Sequence, residues 1–380
     1  MSNTPRRSMT IHAILRTLSP MHIADPTGGR YDHAEDRIVY GDQGIPCTMT
    51  QKLPLSSTRT VKVKRNDGEV DVQRQDEVPI IAANNLNGRL RRHAAKAIRS
   101  ALKAKGQKVT LGTYNGMNCG AVTGSPDSEM LTFAEMSELA EHPFLGLFGG
   151  GPRMAERRVR IHNGLPLHNS EIIRPLLTNL HHSRLEDQWL DAAVRPTTVF
   201  TFRRNDDIKV LADIVEQAET IADYEKQVIA YQSSLLAAKS EEQRAGVFTF
   251  SAHEVIIPLM NFHLTFELEN VTEAQVGLFL ATLDNFAQKE RIGGWSRNGY
   301  GRFMLTTVEA VEEDGTLHEK LFNDGRLDSS QNVVKKALEA WDAAKADLSA
   351  ERLEHLLRPA VSKKDRDAAK EAKKASQAVA

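Results

Sequence analysis

The sequence predicts an α+β fold, and three observations support this prediction. Apolar and polar residues alternate near the start of the chain, as they do in a half-buried strand. A long amphipathic helix follows in the first third, and a second set of strand, helix and strand lies near the end. With 380 residues, 41% of them hydrophobic, the chain can bury one large core or two moderate ones.

The first elements are a strand, a long loop and a hairpin. Residues 9–18 predict the strand because Ile11, Ala13 and Leu15 alternate with polar neighbours. Residues 19–49 contain three prolines and four glycines, a composition typical of a loop. Residues 58–73 predict a projecting β-hairpin, since valines alternate on both sides of an Asn-Asp-Gly turn at residues 66–68.

A helix is predicted from Asn84 and Asn85 to about Lys105, with Gly106 as its stop. Its two sides differ: the apolar side carries Leu86, Leu90, Ala94, Ala97, Ile98 and Leu102, and the cationic side carries Arg89, Arg92, Lys96, Arg99 and Lys103. Between residues 89 and 108 there are eight basic residues, at 89, 91, 92, 96, 99, 103, 105 and 108, and no acidic residue.

The remaining elements follow the same periodicities. Strands are predicted near residues 158–162 and 194–202, and residues 206–239 predict an amphipathic helical insertion. Alternating phenylalanines and leucines predict a further strand up to Leu268, followed by a helix from Thr272 to about Lys289 and a strand from Arg302. The glycine-rich loop GGWSRNGYGRF connects this helix and strand, and the last forty or so residues predict a helical tail with a mobile end.

Composition excludes several classes of protein. The formal net charge of -1 argues against a protein that coats a polyanion with its whole surface, so a nucleic-acid contact must be local. Only Cys47 and Cys119 are present, too few for a disulfide framework or a four-cysteine zinc site. Neither a signal peptide nor a membrane-spanning run is recognisable. We therefore expect a soluble cytoplasmic protein with no membrane partner.

The cationic helix is a candidate site for a nucleic-acid backbone. The start of a helix exposes unpaired N–H groups that suit phosphate oxygens. The predicted contact residues there are Asn84, Asn85, Asn87, Arg89, Arg91, Arg92 and Lys96. The alternative is that Asn85 caps the helix and the basic stripe is a solvated face. The lack of acids favours binding, because solvated faces usually mix both signs of charge.

The glycine-rich loop is the second candidate surface. Glycines allow a phosphate backbone to approach main-chain amides, while aromatic and cationic side chains add stacking and charge. The predicted contact residues are Gly293, Gly294, Trp295, Ser296, Arg297, Tyr300 and Arg302. The loop could equally be an adaptable turn. It lacks the lysine and hydroxyl of a phosphate-binding P-loop and follows a helix, so no nucleotide fingerprint applies.

Signs of catalysis are few. The sequence contains no HExxH, CxxC or GxSxG motif, and His181, His182 and His253 are more typical of surface or structural histidines. The acidic loop with Asp25, Asp32, Glu35 and Asp36 could hold a divalent ion or activate a ribose hydroxyl, although such loops are commonly solvated turns. We expect a binding protein without catalytic residues, metal or cofactor.

Together, these motifs resemble those of the RAMP superfamily of CRISPR systems, specifically a Cas-seven-type backbone subunit. The resemblance rests on the order strand, long loop, the segment from Val78 to Arg92, and the loop GGWSRNGYGRF. Leu86, Gly88 and Arg91 match the family's Pro-Gly-Ser-Ser-Leu-Lys-Gly-x-x-Arg pattern. The sequence departs from it where residues 82–85 are Ala-Ala-Asn-Asn and where Asn87 replaces the lysine.

The resemblance implies a modified ferredoxin-like (RRM-type) core with an inserted thumb, a projecting β-hairpin and a helical C-terminal tail. It implies palm segments at 1–164 and 256–312, a thumb at 165–255 and a tail at 313–380. It further implies a non-catalytic subunit that multimerises along a CRISPR guide RNA (crRNA) with other effector subunits and supports pairing with a target nucleic acid, DNA being favoured. Size and thumb look most like the type IV effector. The alternative is a RAMP endoribonuclease that cuts bound RNA with the acidic loop.

Overall fold

The structure is a computed structural model that describes residues 5–32, 37–41, 45–65, 67–120, 132–150, 156–169, 174–177, 188–204, 226 and 249–357. The chain divides into two compact units. The first comprises Met1–Pro20, Ile80–Val194 and Pro258–Ala380, and the second comprises Met21–Pro79 and Arg195–Ile257. The range 165–255, predicted as a thumb, is therefore shared between both units.

The first unit contains a mixed layer of strands and helices. Its sheet follows the order β12-β1-β11-β7, with short strands at its edges, and β1 pairs antiparallel with both β11 and β12. The strands are β1 (Arg6–Thr17), β7 (Val159–Ile161), β8 (Leu165–Pro166), β11 (Asn261–Thr272), β12 (Phe303–Glu312), β13 (Leu317–His318), and the separate pair β14 (Phe322–Asn323) and β15 (Arg326–Leu327). The α+β class is thus confirmed.

Helices of the first unit include two that were predicted from periodicity, α1 (Ala83–Ala104) and α5 (Glu273–Lys289). The others are α2 (Leu111–Cys119), α3 (Phe133–Glu141), α4 (Leu145–Phe148), α6 (Asn332–Asp347) and α7 (Ala350–Leu357), with short 3₁₀ turns at Arg174–Leu177 and Ser296–Asn298. Thr272 caps α5 in a capping box with Gln275, which explains why the helix begins directly after β11. The predicted tail is helical as far as Leu357, and its predicted mobile end lies outside the described residues.

The core of the first unit lies between the sheet and the helices α1 and α5. Every second residue of β1 around Ile11 is buried, as are Leu86 and Leu90 of α1. Aromatic pairs join α5 to the sheet: the ring centroids of Phe266 and Phe279 lie 5.4 Å apart in an edge-on contact. This alternation of buried and exposed positions is the pattern that the sequence predicted for strand and helix.

The second unit is built around a seven-stranded sheet in the order β6-β5-β3-β2-β4-β10-β9. The strands are β2 (Ala24–Asp32), β3 (Arg37–Gly41), β4 (Ile45–Thr50), β5 (Lys52–Arg65), β6 (Gly68–Pro79), β9 (Thr197–Arg204) and β10 (Thr249–Ile256). The hairpin predicted at residues 58–73 is confirmed, since β5 and β6 pair antiparallel with Arg65 opposite Gly68. The predicted strand near 194–202 is confirmed as β9.

The prediction of a loop over residues 19–49 was wrong, because this segment supplies β2, β3 and β4. A Cβ atom at Gly29 would lie 2.4 Å from the sulfur of Met49, so this glycine permits close packing between β2 and β4. Cys47 and Thr48 of β4 also pair in parallel with Ala252 and His253 of β10. The helical insertion predicted at 206–239 lies, apart from residue 226, outside the described residues.

Candidate nucleic-acid interface

The start of α1 is capped from outside the helix. Ala82 occupies the N-cap position in extended backbone and contributes no side-chain bond. Instead, the Oδ1 atom of Asn163 accepts a hydrogen bond of 2.8 Å from the N–H of Ala83. Asn84 is exposed and Asn87 is half-buried. Asn85 does not cap the helix, and its Oδ1 atom accepts from Nε of Arg89 at 2.7 Å.

Arg91 is turned into the protein. The residue is only 5% exposed to solvent. Its guanidinium donates to four backbone carbonyls: those of Met117 at 2.7 Å, Phe148 at 2.8 Å, Gly149 at 2.9 Å and Gly116 at 3.1 Å. Burial lowers the pKa of Arg91 to about 10, so the group stays charged at neutral pH. Arg91 therefore ties α1 to the ends of α2 and α4, and this corrects its prediction as a surface contact with nucleic acid.

Arg89 connects α1 to the glycine-rich loop. One guanidinium nitrogen donates to Glu290 at 2.6 Å and to the carbonyl of Arg291, and the other donates to the carbonyl of Gly293 at 3.4 Å. His93, one turn further along α1, lies 3.1 Å from the second carboxylate oxygen of Glu290. The two predicted surfaces therefore meet at Arg89.

The cationic side of α1 also carries side chains that face solvent. Arg92, Lys96 and Lys103 are exposed. Within the described part of the chain, neither Arg92 nor Lys96 has an ion-pair partner within 4 Å. Further along, the guanidinium of Arg99 lies 4.6 Å from the centre of the Tyr114 ring, which holds it against α2. The accessible positive charge near the helix start thus comes from Arg92 and Lys96.

The glycine-rich loop is closed at its base. The N–H of Ile292 donates to the carbonyl of Gly301 at 3.0 Å, and the N–H of Gly301 donates to the carbonyl of Pro20 at 2.9 Å. Gly301 has a φ of +77°, and a Cβ atom there would lie 2.1 Å from the carbonyl oxygen of Ile292. Only glycine fits this position, so the last glycine of the loop serves closure.

The side chains of the loop divide between solvent and interior. Gly294, Ser296, Arg297 and Arg302 are exposed, Gly293 and Trp295 are half-buried, and Tyr300 is only 7% exposed. Burial raises the pKa of the Tyr300 hydroxyl above its ordinary value. The Tyr300 ring therefore packs within the protein, and the prediction that it stacks on a base does not fit its position. Trp295 adopts a left-handed backbone with φ of +59° at the start of the short 3₁₀ turn.

The sequence did not identify Glu290, His93 and Asn163 as residues of this site. A signal existed for His93, because it lies four residues after Arg89 and thus on the same side of α1. Glu290 stands at the C-cap of α5, three residues before the glycine-rich loop begins at Gly293. Its pairing with α1 joins residues 201 positions apart, which no local pattern reveals.

The acidic residues proposed as an alternative catalytic site are only partly described. Asp25 and Asp32 lie on β2, one near each end of the strand, whereas Glu35 and Asp36 lie outside the described residues, as do His181 and His182. Among the described residues, no group of three or more histidine, cysteine, aspartate or glutamate side chains is arranged to hold a metal ion. His253 is buried in the second unit.

No helix in the described ranges combines the length and apolar composition that crossing a bilayer requires. The chain matches no protein-family model and no curated protein sequence.

Two of the solved structures that match this chain are CRISPR complexes. A chain of a type IV-B CRISPR complex has a TM-score of 0.38 and 16% sequence identity, over 82% of this chain and 92% of that chain. A chain of the type III-B Cmr-beta complex bound to cognate target RNA has a TM-score of 0.34 and 10% identity, over 80% of this chain and 61% of that chain.

Proposed function

We propose that this protein is a non-catalytic backbone subunit of a class 1 CRISPR effector that binds the guide RNA. In this proposal, several copies assemble along the guide, together with other effector subunits, and the bound guide pairs with a target nucleic acid, for which DNA is favoured. The type IV assignment rests on the sequence resemblance alone. The protein acts by binding and carries no catalytic centre of its own.

The observation that carries the proposal is the junction of the two candidate surfaces. The exposed cations Arg92 and Lys96 stand on α1, and Arg89 of the same helix holds the carbonyl of Gly293 in the glycine-rich loop at 3.4 Å. Exposed Ser296 and Arg297 follow in that loop. A cationic helix beside a loop rich in accessible backbone is a suitable cradle for a phosphate chain.

The topology of the first unit supports the proposed ferredoxin-like core. The order β12-β1-β11-β7, with antiparallel neighbours throughout, corresponds to the order 4-1-3-2 of two interleaved β-α-β units. Helix α1 lies between β1 and β7 in the chain, and α5 lies between β11 and β12. This is the arrangement expected for a split β-α-β fold.

The test is length-dependent assembly on RNA. Purified protein is mixed with single-stranded RNAs of increasing length, and the mass of the complex is measured by light scattering. We expect the number of bound copies to rise with RNA length, and the affinity to fall steeply as salt is raised. Protein that stays monomeric and free of RNA at low salt would contradict the proposal.

The alternative function is an endoribonuclease of the same superfamily that uses the acidic segment. It predicts metal-dependent cleavage of bound RNA that disappears when Asp25, Asp32 and Asp36 are each replaced by alanine. Intact RNA recovered from the complex after incubation with Mg²⁺ or Mn²⁺ would favour the binding function.

A further inference from the structure

A single polar network joins α1 to the base of the glycine-rich loop. Its centre is the carboxylate of Glu290, which receives Arg89 at 2.6 Å on one oxygen and His93 at 3.1 Å on the other. The N–H of Arg291 also donates to this carboxylate at 3.1 Å. Since Glu290 is the C-cap of α5, three residues before Gly293, the network acts at the point where the chain leaves this helix.

The donors of Arg89 are already engaged inside the protein. Nε donates to Asn85 at 2.7 Å, and the two terminal nitrogens reach Glu290 and the carbonyls of Arg291 and Gly293. The side chains of Arg89 and Glu290 are 15% and 25% exposed. A guanidinium used in this way has little capacity left for a phosphate group. Arg89 is better suited to hold the loop than to bind the ligand.

The ionised form of Glu290 belongs to this arrangement. Burial opposes its ionisation, but the hydrogen bonds from His93 and the Arg291 N–H and the charge of Arg89 outweigh burial, and the pKa of Glu290 is lowered to about 2. An ordinary exposed ion pair would add little order. Here the same guanidinium also binds the carbonyls of Arg291 and Gly293, so the pair holds backbone as well as side chains.

We infer that Glu290 is a positioning residue, which through Arg89 sets the loop from Gly293 to Gly301 in the geometry that receives the ligand. This inference rests on the proposed function, because it assigns the loop a ligand. A positioning role for Glu290 predicts the opposite of what electrostatic repulsion alone predicts for RNA affinity. An acidic residue beside a phosphate site should weaken binding by repulsion, whereas a positioning residue should strengthen it.

The test exploits this opposite sign. Single-stranded RNA affinity is measured for wild type, Glu290→Gln and Arg89→Lys at one salt concentration. We expect both variants to bind roughly tenfold more weakly, the effect of losing one charged hydrogen-bond arrangement. Glu313→Gln, at an exposed position beyond β12, removes the same charge elsewhere and serves as the matched control. Glu290→Gln protein that binds RNA as tightly as wild type, or more tightly, overturns the inference.

A second readout reports on the loop without RNA. The chain has three tryptophans, so fluorotryptophan labelling gives a simple ¹⁹F spectrum, and a Trp295→Phe variant identifies the signal from the loop. We expect the Trp295 signal to shift or broaden in Glu290→Gln and Arg89→Lys but not in Glu313→Gln. An unchanged Trp295 signal overturns the inference. A changed signal in a protein that binds no RNA supports the positioning role while the proposed function fails.

Discussion

The two sides of helix α1 carry the same type of residue and use it differently. On the apolar side, Arg91 is buried among four backbone carbonyls. On the cationic side, Arg89 binds the glycine-rich loop, while Arg92 and Lys96 extend into solvent. Charge alone therefore does not identify a binding surface. The number of internal acceptors within reach separates a structural arginine from one that can meet a ligand.

The largest expected effect is a loss of folding stability on the apolar side of α1, at Arg91. Replacing Arg91 with methionine removes the guanidinium that donates to the carbonyls of Met117, Phe148, Gly116 and Gly149. We expect a loss of about 3–5 kcal/mol in the free energy of unfolding. Arg92→Met, the same change one position along, should cost no more than about 0.5 kcal/mol. Urea unfolding of both variants measures the contrast, and equal losses would remove the distinction between the two sides.

The next largest expected effect is a loss of stability in the glycine-rich loop. It compares the closed base of the loop, at Gly301, with its tip, at Gly299. Gly301→Ala places a Cβ atom 2.1 Å from the Ile292 oxygen, whereas Gly299→Ala, with φ of +85°, meets open space. Both changes carry the cost of a left-handed alanine, about 1 kcal/mol. Gly301→Ala should lose about 1–3 kcal/mol more through overpacking. Thermal unfolding tests this, and similar values for both variants would show that the base is not tightly packed.

The exposed cations Arg92 and Lys96 are tested by the salt dependence of RNA affinity. The double variant Arg92→Gln, Lys96→Gln should keep its stability but bind single-stranded RNA more weakly. The slope of log affinity against log salt should become shallower by about 1.4, since each phosphate contact on a single strand contributes about 0.7. Lys335→Gln, an exposed position on α6, is the control for general loss of charge. An unchanged slope in the double variant would exclude these two cations as phosphate contacts.

The smallest expected effect is on the pH dependence of folding stability. The pKa of Glu290 is lowered to about 2 from an ordinary value of 4.5, so its carboxylate stabilises the fold above about pH 4.5 and loses this contribution as pH falls toward 2. The stability difference between wild type and Glu290→Gln should therefore be at its full value above pH 4.5 and shrink below it. Acid unfolding series of both proteins measure this difference. A difference that grows on acidification would contradict the lowered pKa.

Hydrophobic periodicity correctly predicted the strands and helices that a local pattern of apolar residues is enough to identify. The strand expected at residues 9–18 is β1 at Arg6–Thr17, and the helix expected from Asn84 to Lys105 is α1 at Ala83–Ala104. The apolar stripe of α1 was also predicted. The inward direction of Arg91 was not, although Arg91 shares a side with Ala94, Ala95 and Ile98, because a basic residue was taken as a surface residue by type.

The strands of the second unit were missed for a different reason. Gly29 and Pro46 were taken as signs of a loop, but Gly29 makes room for Met49, and Pro46 lies in β4 opposite Arg30. Cys47 of β4 pairs with Ala252, far along the chain. Strand propensity depends on such partners, which a single sequence does not display. The same limit applies to Glu290 and to the acceptors of Arg91.

The pairing of β1 has a consequence for biosynthesis. Both neighbours of this strand, β11 and β12, come from the last third of the chain, and the contacting residues His12 and His263 are 251 positions apart. A ribosome releases β1 well before either partner, so both hydrogen-bonding edges of the strand stay unpaired while the intervening residues are synthesised. Contacts so distant in sequence slow folding, and open edges invite association with other chains. A product truncated before Asn261 would retain an unpaired β1, together with its tendency to aggregate.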